Sequence, residues 1–131
     1  KNCLSVLLCA NSTGSHKFPS LIIGKSLNSR CFKNINKSAL PITYCANSKA
    51  WMRSDIFIEW LQHLDRWFCT INRKILLLVD NADKSTKQKK TKQKPDIKLT
   101  NIKLVYLPSN TTAHLQPMDA EIICSFKSKY K

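Results

Sequence analysis

The sequence predicts an α/β fold in which a mixed sheet is flanked by helices. Three segments carry this prediction. Ser54–Thr70 has the apolar spacing of a helix, and Ile75–Val79 and Ile102–Leu107 are short apolar runs typical of buried strands. Hydrophobic residues make up 43% of the 131 residues, which is enough for the core of one domain. We therefore expect residues 1–131 to belong to a single domain.

The first fifty residues predict a β-hairpin followed by a long connection. Leu4–Ala10 and Phe18–Ile23 are apolar segments. Asn11–Ser15, between them, has the composition of a turn, because Asn and Gly tolerate positive φ. Residues 26–50 are rich in Asn, Ser and Lys, and we expect only one short extended piece there, Leu40–Tyr44.

The helix predicted over Ser54–Thr70 has a single apolar face. Its apolar residues recur at spacings of one, three and four: Ile56, Phe57, Trp60, Leu61, Leu64, Trp67 and Phe68. Ser54 is a suitable N-cap, and Asp65 and Arg66 are expected on the solvent side. We expect all three tryptophans, Trp51 included, in the core.

The second half of the chain predicts two more strands and a final helix. Ile75–Val79 is continuously apolar, which indicates a central strand buried on both faces. Ile102–Leu107 is the next strand, and Pro108 and Pro117 bracket a polar loop. Pro117–Tyr130 then predicts a terminal helix with proline in its first turn.

The charge of the chain indicates a polyanionic partner. There are 22 Lys and Arg against 8 Asp and Glu, a net charge of +14, and nucleic acid is the simplest partner for such a surplus. The longest strictly apolar run has five residues, so no membrane span is expected. No segment is typical of a signal peptide, and the chain begins at Lys1, so we expect an internal piece of a longer protein.

The six cysteines do not predict a metal site. None is spaced as C-x-x-C, and no cysteine–histidine cluster has the spacing of zinc ligands. We expect buried, reduced thiols in an intracellular protein.

Two of the few carboxylates stand in unexpected places. Asp80 directly follows the most apolar strand, at the sheet edge where α/β proteins bind ligands. It could equally cap the following turn, helped by Asn81. Asp119 precedes Ile123 by four residues, on the apolar face of the last predicted helix. Two carboxylates that converge at one point would hold a hard divalent cation, Mg²⁺ or Mn²⁺.

Further candidate residues lie between these two carboxylates. Lysines that could contact DNA phosphates follow Asp80 closely: Lys84, Lys87, Lys89, Lys90, Lys92 and Lys94. The alternative is a solvated loop. His114 could approach a phosphate or form a loop hydrogen bond, and Gln116 could orient substrate or pack.

Several strings together resemble one protein family. Asp80-Asn81-Ala82 after an apolar strand, and the thirteen residues of Leu107–Asp119 (LPSNTTAHLQPMD), resemble the pogo/Tigger branch of the mariner-like DDE/DDD transposases, the branch related to jerky and centromere protein B. Ala50-Trp51-Met52 and Phe126–Tyr130 match as well. The likeness covers nearly the whole chain.

The resemblance implies a ribonuclease-H-like fold and a catalytic role. In such transposases three acidic residues hold two Mg²⁺ ions, water attacks a DNA phosphodiester, and the freed 3′-hydroxyl attacks target DNA. Asp80 resembles the second acid and Asp119 the third. The strand with the first acid would precede Lys1, so we expect these residues alone to be inactive. Where the family often has His, five after the second acid, this chain has Ser85.

Two functions therefore compete. The first is the catalytic domain of a transposase that binds DNA in the nucleus and forms a homo-oligomer when assembled on it. The second is a domesticated DNA-binding or chromatin protein whose former nuclease domain is inactive. The upstream sequence would separate them, since an acid on a strand just before Lys1 favours the enzyme.

Overall fold

The computed structural model describes residues 3–80, 97–108, 118 and 122–129. The chain forms two compact units, Lys1–Phe57 and Ile58–Lys131. A mixed α/β architecture was predicted and is observed. The strands lie in two sheets, however, whereas one mixed sheet was expected: a three-stranded sheet belongs to the first unit and a two-stranded sheet to the second.

The first unit opens with the predicted hairpin. Strand β1 is Ser5–Leu7 and strand β2 is Ser20–Gly24, and they pair antiparallel with Val6 opposite Ile22. The turn between them is closed by hydrogen bonds from Asn11 N to His16 O (3.0 Å) and from Gly14 N to Asn11 O (3.0 Å). Gly14 has φ +69°, a conformation that glycine adopts without strain. Both strands are shorter than predicted.

Strand β3 completes this sheet. It runs over Ile42–Ala46 and pairs parallel with β2, with Gly24 opposite Ala46. The predicted extended piece lay two residues earlier. A Cβ at Gly24 would clash with the Tyr44 ring, which passes directly over it, so glycine is required here by this close approach. The core of the unit contains Leu21, Ile23 and Ala50.

Helix α1 extends over Ser54–Thr70, the predicted bounds. Its first hydrogen bond joins Phe57 N to Arg53 O (3.0 Å), which makes Arg53 the N-cap; the prediction of Ser54 was wrong by one residue. Leu61, Leu64 and Phe68 are buried on one face, at helical spacings of three and four.

The tryptophans are not core residues, contrary to the prediction. Trp51 is 51% exposed, Trp67 is 38% exposed and Trp60 is half-buried. For the two tryptophans of α1 the reason is their direction around the helix axis. Successive residues are about 100° apart, so Trp60 and Trp67 lie beside the buried face that contains Leu61 and Phe68. The apolar arc of α1 is therefore wider than the buried one.

The second unit contains a parallel strand pair. Strand β4 is Ile75–Val79, as predicted, and strand β5 is Ile102–Tyr106, one residue shorter than predicted. Ile75 pairs with Ile102 and Val79 with Tyr106. Burial alternates along β4, with Leu76 and Leu78 more than half exposed, so the prediction of a strand buried on both faces was wrong.

A short helix, α2, forms near the end of the chain over Ile123–Ser128. It lies within the predicted terminal helix, most of whose other residues are outside the described part. Among the described residues, no helix has the length and apolar character to cross a membrane.

The six cysteines all lie in the described part, and none is joined in a disulfide. The prediction of buried thiols was wrong. Two are half-buried and four are exposed: Cys3, Cys31, Cys69 and Cys124. Burial raises the pKa of the Cys9 thiol.

Candidate functional site

The candidate site begins at the carboxyl end of the parallel pair. Because β4 and β5 run in the same direction, their carboxyl ends meet at one edge of the sheet. Leu107 N donates to Val79 O over 2.9 Å, which extends the pairing one step beyond β5. Asp80 follows Val79 directly and is half-buried. The structure thus places Asp80 beside the point where the segment beginning Leu107-Pro108 leaves the sheet.

Of the sequence-predicted site residues, Asp80 alone lies within the described residues. The others fall outside them: Asn81, Lys84, Lys87, Lys89, Lys90, Lys92, Lys94, His114, Gln116 and Asp119. Whether Asp119 approaches Asp80 therefore stays a prediction. What the structure establishes is that the chain leading to Asp119 starts at the same edge of the sheet as Asp80.

The opposite end of the pair contains a carboxylate that the sequence analysis misplaced. Asp65 was expected on the solvent side of α1 but is 8% exposed. It follows Leu61 by four residues, so it shares the buried face of the helix. Its partners are at the start of β5, where Asn101 N (2.8 Å) and Ile102 N (3.0 Å) donate to Oδ1. Thr100 donates to Oδ2 through N (3.1 Å) and Oγ1 (3.0 Å).

These bonds keep Asp65 charged. Burial by itself would raise the pKa of the carboxyl, but the hydrogen bonds from Asn101, Thr100 and Ile102 together lower that pKa below its ordinary value. Four donors occupy both carboxylate oxygens. Asp65 therefore acts as a structural acceptor that ties α1 to the first residues of β5.

A neighbouring contact fixes the same end of β4. Asn101 Nδ2 donates to Arg73 O (2.9 Å), and Ile75 N donates to Asn101 O (2.8 Å). The residues just before β5 are thus bound to α1 on one side and to the start of β4 on the other. Hydrogen bonds within the chain therefore fix the amino ends of both strands.

The sequence analysis assigns a divalent cation to the carboxyl end of the pair, and this assignment stays a prediction. A carboxylate such as that of Asp80 is the ligand type that Mg²⁺ and Mn²⁺ prefer. Within the part of the chain that the structure describes, no group of three or more His, Cys, Asp or Glu side chains could hold a metal ion. Asp80 offers one such carboxylate, and a metal site that includes it would need further ligands from outside the described residues.

Comparison with known proteins places the chain among transposase-related sequences. The family described as DDE superfamily endonuclease matches residues 1–131. Tigger transposable element-derived protein 4 of Mus musculus is 36% identical over 132 residues, which cover 100% of this chain and 24% of the relative. Jerky protein of Mus musculus is 35% identical and Major centromere autoantigen B of Homo sapiens is 31% identical.

These relatives are much longer than the chain. The match to Jerky protein covers 96% of this chain and 23% of the relative, and the match to Major centromere autoantigen B covers 98% and 19%. The chain thus spans about a quarter or less of their length. No solved structure matches it.

Proposed function

This chain belongs to the DDE superfamily endonuclease family, and we propose that it forms part of a transposase-derived domain that binds and cleaves DNA. In the full-length protein, water would attack a phosphodiester of DNA, and the freed 3′-hydroxyl would then attack target DNA. The family supports the type of reaction. The names of two similar proteins, a transposable element-derived protein and a centromere autoantigen, support an association with DNA.

One observation carries this proposal for the chain itself. Asp80 lies at the carboxyl edge of the β4–β5 pair, and Leu107, bonded to Val79 O at that edge, begins the thirteen-residue string that ends in Asp119. If Asp119 lies near Asp80 at this edge, the two carboxylates would offer oxygen ligands to one divalent cation. The half-buried position of Asp80 also strengthens its attraction for a cation compared with an exposed carboxylate.

The fold we propose for the complete domain is ribonuclease-H-like. An antiparallel hairpin, a long helix and a parallel strand pair occur in this order along the chain. This order is consistent with a mixed sheet to which further strands are added in the longer protein.

Asp80 and Asp119 are the residues we propose to hold Mg²⁺ or Mn²⁺ in the full-length protein. A bound pair of such ions would stabilise the attacking and leaving oxygens of the phosphodiester. Asp80 would supply a fixed carboxylate from the end of a strand. Asn81, His114 and Gln116 are proposed to support substrate and ligands around it.

DNA is the proposed partner, and the nucleus the proposed location. The net charge of +14 favours a polyanion. The lysines from Lys84 to Lys94 are proposed to contact phosphates beside the site, and the full-length protein is proposed to form a homo-oligomer when assembled on DNA.

The proposal is tested by metal-dependent thermal stability. We expect Mn²⁺ to raise the melting temperature of the chain, and Asp80→Asn to abolish that rise, because the amide loses the charge that binds the ion. Linkage gives about 2.7 kcal/mol of stabilisation when the ion is at 100 times its dissociation constant. Differential scanning fluorimetry with increasing Mn²⁺ measures the effect.

The matched control is Asp55→Asn, which removes one carboxylate that is paired with Arg53 (3.1 Å) and mostly exposed. This variant should keep the full Mn²⁺ effect. If Asp80→Asn keeps it as well, Asp80 is no metal ligand. The competing function, a domesticated DNA-binding domain without nuclease activity, would then be favoured, in keeping with Ser85 at a position where the family often has His.

A further inference from the structure

The first 54 residues contain no acidic side chain. They include eight lysines and arginines, and the first acid of the chain is Asp55. More than half of the net charge of +14 therefore belongs to this segment. This accumulation is separate in sequence from the lysines that follow Asp80.

Four of these cations lie on one connection, residues 25–39, between β2 and β3, which we call the basic loop. They are Lys25, Arg30, Lys33 and Lys37. Two short 3₁₀ helices, Arg30–Phe32 and Lys37–Ala39, give the loop regular local structure. Lys25, Arg30 and Lys33 are exposed.

The basic loop is held in shape by its own contacts. Lys37 Nζ donates to Leu27 O (2.5 Å) and to Asn28 Oδ1 (3.2 Å), and it lies 5.4 Å from the centre of the Phe32 ring. The Phe32 ring packs edge-on against that of Tyr44, at 4.6 Å between centroids. Tyr44 Oη in turn donates to Ser26 O (2.7 Å). Strand β3 thus anchors the loop.

This arrangement surrounds an open depression of about 330 Å³. Its lining consists of cations, polar groups and one ring: Asn28, Ser29, Arg30, Phe32, Lys33 and Lys37. Among the described residues of the first unit, the ion pair observed is Arg53–Asp55, and no carboxylate neutralises the cations of the depression. Like charges held close together in an ordered loop favour the binding of an anion.

We propose that the basic loop binds backbone phosphates of duplex DNA, as a contact distinct from the lysines after Asp80. The choice of DNA rests on the proposed function. Arg30 and Lys33 supply exposed positive charge, while Lys37 positions the loop through Leu27 and Asn28. Since phosphates carry no sequence information, the contact strengthens binding to any duplex by a similar factor.

The experiment compares two double variants that lose the same charge. In the first, Arg30→Gln and Lys33→Gln remove one arginine and one lysine of the basic loop. In the second, Arg53→Gln and Lys17→Gln remove one arginine and one lysine elsewhere in the first unit. Binding to a labelled duplex of arbitrary sequence is measured by fluorescence anisotropy over a range of salt concentrations. EDTA is present, so metal binding does not contribute.

We expect the slope of log affinity against log salt to become shallower by up to about 1.8 in the loop variant, since each lost phosphate contact removes about 0.9. The control should keep a slope close to wild type. Equal slopes for the two variants would overturn the proposal, because the loop would then act only through net charge. Lys37 is kept in both variants so that the loop retains its contacts.

A second measurement distinguishes DNA from an anionic membrane as the partner of the basic loop. Vesicles of phosphatidylserine and phosphatidylcholine replace DNA in the same buffer, because Leu27 and Ile35 are exposed on the loop at 60% and 47%. Loss of vesicle binding without loss of DNA binding in the loop variant would overturn the proposal in favour of a membrane surface. The Mn²⁺ test of Asp80 is independent of this experiment. A missing Mn²⁺ effect would not change the salt slope of DNA binding, and an unchanged slope in the loop variant would not change the Mn²⁺ effect.

Discussion

The two ends of the β4–β5 pair each have an aspartate, and the two aspartates are in different situations. At the amino end, Asp65 is buried and accepts four hydrogen bonds from Thr100, Asn101 and Ile102. At the carboxyl end, Asp80 is half-buried where two segments leave the sheet. The first carboxylate stabilises the fold. The second is the carboxylate that is proposed above as a metal ligand.

The difference teaches how to assign a role to a carboxylate in this fold. Burial alone does not assign a role to an acid, because a buried carboxylate can serve the fold, as Asp65 does. The groups at its oxygens show this role: backbone N–H donors and a hydroxyl fill those of Asp65. A cation could replace those donors only if the start of β5 came apart.

The strongest test of the comparison is Asp65→Ala. We expect it to lower the free energy of unfolding by about 3 kcal/mol, because it leaves several donors near the start of β5 without an acceptor. Asp80→Ala should cost less in the absence of metal, because Asp80 is half-buried whereas Asp65 is buried. Urea denaturation followed by tryptophan fluorescence measures both. Equal losses in the free energy of unfolding for the two substitutions would contradict the comparison.

The pH dependence of stability should also reveal the buried carboxylate at the amino end. The pKa of Asp65 is below its ordinary value of 3.8 in the folded chain, so the unfolded chain takes up the proton first as pH falls. The stabilisation is complete above pH 4 to 5 and is lost as pH falls through the folded pKa, by at most about 1.4 kcal/mol per pH unit.

The measurement is the unfolding free energy of wild type and Asp65→Asn from pH 6 to pH 3. Wild type should lose more stability than the variant over the acid part of this range. Parallel curves would show that Asp65 has the same proton affinity in the folded and unfolded chain.

The smallest expected effect comes from a single hydroxyl at the amino end. Thr100→Val removes the hydroxyl, which lies 3.0 Å from both Asp65 Oδ2 and Asn101 Oδ1, and keeps the backbone donor of the same residue. We expect a loss of about 1 kcal/mol, the net worth of one hydrogen bond to a charged group at a partly exposed position. Thr100→Ser, which keeps the hydroxyl, is the control, and a Val variant as stable as this control would contradict the account.

Local patterns predicted the elements of this molecule well. Helix α1 and strand β4 have the bounds expected from their apolar spacing, and the hairpin follows from the turn at Asn11–Ser15. The wrong predictions concern burial, the N-cap of α1, the bounds of some strands and the division of the strands into two sheets, but not the type of any element. Leu76 and Leu78 lie in a correctly predicted strand but are exposed, because burial of a strand depends on what covers each face.

The candidate site was predictable only in part. The position of Asp80 after an apolar strand could be read from the sequence, since a strand end is a local feature. The burial of Asp65 was available from its spacing of four residues after Leu61, but its role was not, because its partners are 35 to 37 residues away. The cations of the basic loop were likewise scattered among Asn and Ser, and their grouping depends on the fold of residues 25–39.

The clamp at Asp65 has a consequence for how this domain can change over evolutionary time. Since α1 fixes where β5 starts, the register of the parallel pair does not depend on the length of the chain that connects β4 to β5. A change in the length of the chain between the two strands among descendants would therefore leave the edge that presents Asp80 in place.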